Sequence, residues 1–112
     1  MPLADLLQLL FKVRTRAVEN PQAVTSLGTT PQIILANNPN RLAWRITNLH
    51  ATQQVYLGLT SSVSATNGVR LDPAGGGASM IWNEDFQLTG WAIWGVASGA
   101  GTNIYSFEVV EY

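Results

Sequence analysis

Cysteine is absent from the chain. Its absence removes disulfide frameworks, thiolate metal sites and cysteine nucleophiles together. It also fits assembly in a reducing cytoplasm. Charge is scarce: six Lys and Arg against seven Asp and Glu leave a net −1, and charged residues are 12% of 112 positions, about half the usual share of a soluble domain. Nucleic acid is therefore not expected as a partner, because neutralising phosphates takes clustered Lys and Arg. A lone monomer with so few charges would be poorly protected against self-association. Either partners cover much of the surface, or the surface is a neutral one rich in Thr, Ser and Asn. Long apolar runs are missing too. No stretch reaches the length of a membrane span, and no membrane partner is expected. The N-terminus has no basic residue before its apolar stretch, carries Asp5 within it and lacks a small-x-small cleavage site. The mature protein is expected to begin at or near Met1.

What is present divides into two patterns. A chain of this length fits one domain, able to bury roughly two-thirds of its unfolded surface. From Met1 to about Ala17 the period is helical: Leu3, Leu6, Leu7, Leu10 and Val13 or Arg14 fall three and four apart. Pro2 suits a first turn, Asp5 the positive end of the dipole, and Lys12, Arg14 and Arg16 the negative end. Leu9 and Phe11 widen the apolar face beyond what a lone helix tolerates in water, so the segment must dock. Glu19-Asn20-Pro21 ends the pattern. The domain plan is a helical arm over 1–20, a connector over 21–30 with a short extended piece at Ala23-Val24, and a β-domain over 31–112.

From Pro31 the period is two. Strands are expected at Gln32–Ala36, Arg41–Asn48, Gln54–Thr60, Val69–Leu71, Ser79–Asn83, Thr89–Ala97 and Ile104–Tyr112, with a short edge strand at Ser61–Ala65. In Arg41–Asn48, Leu42, Trp44 and Ile46 share one face while Arg41, Arg45 and Thr47 share the other. Asn37-Asn38-Pro39-Asn40 and Asn83-Glu84-Asp85 read as turns, Asn67-Gly68 as a tight turn and Ser98–Asn103 as a hairpin. Thr89–Ala97 is apolar on both faces, as in a central strand or one covered by a second subunit. Roughly seven or eight short strands with regular turn signals indicate an antiparallel sandwich or barrel.

The sequence offers little chemistry. His50 is the only histidine, and a catalytic or metal role would need partners that it lacks. Asp72, Glu84 and Asp85 have no calcium-loop spacing, and ordinary turn residues are the plainer reading. Gly75-Gly76-Gly77 lacks the Lys-Ser/Thr and the helix of a phosphate cradle. No catalytic residue, metal or cofactor is expected. Trp44, in phase with Ile46, is assigned to the core. Trp91 and Trp94 stand three apart on an expected strand and so face opposite sides. Aromatics are enriched at interfaces, which favours subunit contact over a sugar platform. The expected assembly interface is Leu3, Leu6, Leu7, Leu10, Phe11, Trp91 and Trp94.

The segment Arg41-Leu42-Ala43-Trp44-Arg45-Ile46-Thr47-Asn48-Leu49, then Val55-Tyr56-Leu57-Gly58, then Asn67-Gly68-Val69-Arg70-Leu71-Asp72-Pro73 resembles a pattern in small tailed-phage virion proteins. The resemblance spans about Thr30 to Val110; the glycine of Asp72-Pro73-Ala74-Gly75 stands one position later than in that pattern. It implies an all-β antiparallel sandwich of jelly-roll or related topology, often trimeric, on capsids, fibres or tails, without catalytic residues. The expectation is a capsid decoration or cement protein, a homo-oligomer bound to a major capsid or other virion protein and assembled in the host cytoplasm. The alternatives are a carbohydrate- or receptor-binding fibre head and, with no supporting acid pair, a hydrolase.

Overall fold

In the β-rich part, alternation in sequence becomes alternation in burial. The computed structural model describes residues 14–111. Its strands are β1 (Thr15–Glu19), β2 (Ser26–Leu27), β3 (Gln32–Leu35), β4 (Arg41–Asn48), β5 (Val55–Gly58), β6 (Val69–Leu71), β7 (Gly77–Ile81), β8 (Ile93–Ala97) and β9 (Thr102–Glu111). A short helix α1 (Trp82–Asp85) and a 3-10 turn (Phe86–Gly90) join β7 to β8. One antiparallel sheet runs β1-β9-β4-β7, with β2 pairing β9 along the same edge as β1; the other runs β3-β8-β5-β6.

The sheets share one core. Ile46, Ile104 and Trp44 come from the first sheet, and Leu35, Val55, Leu57, Leu71 and Ile93 from the second. In β9 every second residue from Thr102 to Val110 is buried. In β4 a bulge between Arg41 and Ala43 shifts the phase, so Arg41 and Trp44 both turn inward. Arg41 therefore leaves the solvent face on which simple alternation put it.

The double-sided apolar pattern of Thr89–Ala97 has a local explanation. β8 is an inner strand; Ile93 and Ala97 face the shared core, while Val96 and Trp94 pack with Tyr56 and Val63 on the outer side. Val63 belongs to the loop between β5 and β6, so the chain covers this outer face itself. That loop holds one bridge, Ser64 to Asn67, in place of the expected edge strand. Gly68 is not at positive φ, so no tight turn of that kind forms. A Cβ there would stand 2.7 Å from the Leu57 carbonyl oxygen, and the glycine serves close approach.

Other boundaries also move. Thr15–Glu19, expected within the helical arm, is strand β1, paired from Thr15↔Glu111 to Glu19↔Phe107. Pairing along the open edge of β9 outweighs local helical spacing, and β-branched Thr15 and Val18 suit it. β2 lies inside the expected connector, and Ala23 is left-handed at φ 57°; Thr15–Glu19 and Ser26–Leu27 thus both pair into the first sheet. The arm residues Leu3, Leu6, Leu7, Leu10 and Phe11 lie outside the described residues. The described helix is α1, where a strand end and a turn were expected; Asp85 accepts the Ile81 amide at 2.9 Å and turns the chain off β7. Ser98–Gly101 is no hairpin: it carries the chain from one sheet to the other.

Strand directions sort the connections onto two ends. The 36–40 and 59–68 loops and the 82–92 segment share one end with Arg14 and Glu111. The 49–54, 72–76 and 98–101 loops share the other.

Candidate functional site

The two ends differ in chemistry. At the end away from Arg14, a buried Asn48 ties three segments together. Its Nδ2 donates to Gln53 O (2.8 Å) and Leu71 O (3.2 Å), and its Oδ1 accepts the His50 amide (3.0 Å). This is the strand-ending asparagine bonding into its own turn. His50 Nδ1 accepts the amides of Thr52 (3.1 Å) and Gln53 (3.0 Å). The ring thus organises a turn. The Thr102 hydroxyl donates to Gly99 O at 2.8 Å and accepts from the Gln53 amide across the same end.

The opposite end is apolar. Among the described residues, all exposed large hydrophobics except Ile33 and Leu49 gather there. The aromatic ones are Phe86, 77% exposed, Trp91, 48%, and Trp82, 43%. A trough of about 600 Å³ runs between them, lined also by Asn37, Pro39, Leu42 and Gln87. Fully covering one such ring is worth roughly 1.5–3 kcal/mol, so leaving three in water is costly. Phe86 adds strain: its φ of 55° and ψ of −136° are a conformation that bulky side chains rarely adopt.

A buried ion pair holds this rim. Arg41 Nε meets Glu108 Oε2 at 2.5 Å, with the two side chains 1% and 8% exposed. The guanidinium then donates to Trp91 O (3.1 Å), Thr89 O (3.4 Å) and Ala36 O. One cation thereby fixes the 3-10 turn, the residue after it and the end of β3. The Asn38 amide donates to Gly90 O at 2.7 Å, pinning the 36–40 loop to the same segment.

Trp91 and Trp94 are not brought together. Trp91 lies before β8, in the rim, while Trp94 is half-buried in β8 against Tyr56, Val63 and Val96. Trp44 is buried in the core. Sequence reasoning missed Trp82, Phe86 and Leu88 as a group. The signal was there: Trp82 to Trp91 carries four large apolar side chains at spacings that fit neither one strand nor one long helix. Asp72 pairs with Arg70 on the surface at 3.0 Å. Among the described residues no three of His, Cys, Asp or Glu converge to hold a metal, and no helix is long and apolar enough to cross a membrane.

A second concavity, an apolar cleft of about 330 Å³, opens between the β6 and β7 edges, lined by Trp44, Leu57, Leu59, Val69, Met80 and Ile93.

No protein-family profile matches the sequence, and no curated protein matches it. One solved structure that is similar to this chain comes from Bacillus endospore appendages, described as a novel family of disulfide-linked pili. It is 9% identical, covers 89% of this chain and 85% of its own, and superposes at a TM-score of 0.43. A likeness of that size carries no argument about this protein.

Proposed function

We propose that this chain is a non-enzymatic structural protein of a tailed-phage particle, a decoration protein that binds the shell and stabilises it through contacts among its own copies. The observation that carries the reading is the concentration of exposed aromatic and aliphatic side chains at one end of a rigid double-sheet scaffold. Contiguous apolar surface of that kind marks an interaction site. Scarce charge over the whole chain fits a surface made for neighbours.

The strand order supports a jelly-roll sandwich. With β1 and β2 counted as one interrupted strand, the first, eighth, third and sixth strands form one sheet. The second, seventh, fourth and fifth form the other. That architecture serves viral capsid proteins among others, although fold alone does not fix function. A trimer with the apolar ends together, seated on the major capsid protein in the virion, is the arrangement proposed.

The first test is the native mass of the full chain by light scattering across concentration. The reading expects a stable oligomer that Phe86→Asp with Trp91→Asp disperses while far-UV dichroism keeps its β-sheet signal. Tryptic peptides of the chain in purified particles would establish its place in the virion. A monomer at every concentration that also fails to bind shells would refute the reading. One observation favours a second: the Asn37 and Gln87 side chains stand beside the rings of the trough, as sugar-stacking sites require. A glycan array giving a hit that Trp91→Ala abolishes would select that carbohydrate-binding function.

A further inference from the structure

We propose that Asn67 is a site of self-modification: its side-chain amide condenses with the backbone nitrogen of Gly68, and the carboxylate that results frees the 59–68 loop from the outer side of β5 and β8. The inference stands apart from the assembly reading and needs no second copy.

Asn67-Gly68 is the only asparagine–glycine step in the chain, and both residues are exposed. Ring closure from an asparagine requires the next backbone nitrogen to reach Cγ, and a side chain on that next residue hinders the approach. Position 68 has none and does not tolerate one, because a Cβ there would stand 2.7 Å from Leu57 O. Among the described residues nothing accepts a hydrogen bond from the Gly68 N–H. The nucleophile is therefore unshielded and unengaged.

The reaction consumes only water. The Gly68 nitrogen loses its proton and attacks Asn67 Cγ. The new Cγ–N bond closes a succinimide as the Cγ–Nδ2 bond breaks, and Nδ2 departs with that proton as ammonia. Water then opens the imide at either carbonyl. Opening at the side-chain carbonyl gives aspartate. Opening at the backbone carbonyl gives isoaspartate, in which the main chain runs through Cγ. Each product carries a carboxylate where an amide stood.

The loop is built on that amide. Asn67 Nδ2 donates to Ser62 O at 3.1 Å, and the Asn67 and Ser64 backbones exchange bonds of 3.1 Å in both directions. Next to Ser62, Val63 is buried and held close against Gly58 and Gly68. It packs with Tyr56 and Val96, and Trp94 lies against the same cluster. An ionised carboxylate accepts hydrogen bonds and donates none, so after conversion it faces the Ser62 carbonyl as one acceptor against another. Isoaspartate also lengthens the main chain where the bridge meets β6, one residue before Val69 pairs with Leu57. Both products thus release Val63 and uncover Tyr56 and Trp94.

The test ages the purified full chain at mildly alkaline pH and follows the tryptic peptide 46–70, cut after Arg45 and Arg70, by chromatography and mass spectrometry. The expected result is a parent peak joined by two products, each heavier by the difference between NH2 and OH, with fragmentation placing the change at position 67. Asn48, buried in the same peptide, stays unchanged. The rate should rise in proportion to hydroxide and vanish in Asn67→Gln, whose longer side chain closes a less favourable ring. The aged chain and freshly made Asn67→Asp should both show red-shifted tryptophan emission and faster proteolysis within 59–68, with the β-sheet signal kept. An Asn67 that stays intact in the folded chain would overturn the proposal; conversion in the excised peptide alone would show that the Ser64 bridge holds the amide away from Gly68. Conversion with unchanged emission and unchanged proteolysis would overturn the release of Val63.

Discussion

Glu108→Gln removes one charge and almost no volume, and it isolates the part played by the buried ion pair. The side chains of Arg41 and Glu108 are 1% and 8% exposed, so the glutamine leaves a guanidinium in the interior with no counter-charge. Removing one partner of such a pair costs about 3–5 kcal/mol. A chain this size has a total stability of roughly 6–17 kcal/mol at ~0.05–0.15 kcal/mol per residue, so the loss is a large fraction. In urea, a loss of about 3 kcal/mol at an m-value of about 1.5 kcal/mol/M moves the midpoint down by about 2 M. The double variant Arg41→Met with Glu108→Met is the sharper comparison. Replacing a buried pair by apolar residues is often neutral. Here it is not expected to be, because Ala36 O, Thr89 O and Trp91 O each lose their guanidinium donor. A residual cost of about 1–3 kcal/mol should remain. Two results would refute the reasoning. A Glu108→Gln cost below about 1 kcal/mol would place the pair among exposed ones. Wild-type stability in the double variant would mean that the carbonyl bonds to the rim carry nothing.

Asn48→Leu should cost about 2–4 kcal/mol by thermal or urea melting, since the Gln53 and Leu71 carbonyls and the His50 amide are orphaned together. Ala74 sits at φ 60°, so Ala74→Gly should raise the melting midpoint by about 1 kcal/mol equivalent. Gly76→Ala should lower it sharply, because the added Cβ would stand 2.4 Å from Asp72 O. Tyr105 donates to Glu19 Oε2 at 2.9 Å; that bond first, then desolvation and the carboxylate charge, raises its pKa above the ordinary 10.0. With the folded value raised, this contribution is complete below the unfolded pKa and is lost as pH climbs through the folded one. Ultraviolet titration should therefore show one tyrosine ionising late, and Glu19→Gln should bring it back.

Much of the double-sheet architecture was legible because burial enforces period two. Arg41–Asn48 and Val69–Leu71 fall at their observed bounds, and Trp44 is core as its phase with Ile46 required. What escaped has a common cause: long-range pairing and packing that no local window contains. Thr15–Glu19 has helical spacing behind it, yet becomes strand because β9 offers a free edge. Arg41 reads as solvated until a bulge turns it to meet Glu108. Phe86 and Leu88 fall between an expected turn and an expected strand, and only α1 and the 3-10 turn bring them to the same end as Trp82 and Trp91. The rim's lining draws on the 36–40 loop and the 82–92 segment, which meet only after both sheets have formed.

The placement of β9 has a consequence for how the protein is made. It is the spine of its sheet, flanked by β1, β2 and β4, and a bond such as that between Glu19 and Tyr105 joins positions 86 apart. The early strands thus wait on the ribosome for the late one. At a synthesis rate of about 5–20 residues per second, β1 and β4 spend seconds as nascent chain with unpaired edges before the larger sheet can close. A message cut short before β9 would yield a polypeptide that has no partner for its first strand, a substrate for chaperones and proteases rather than a smaller version of the fold.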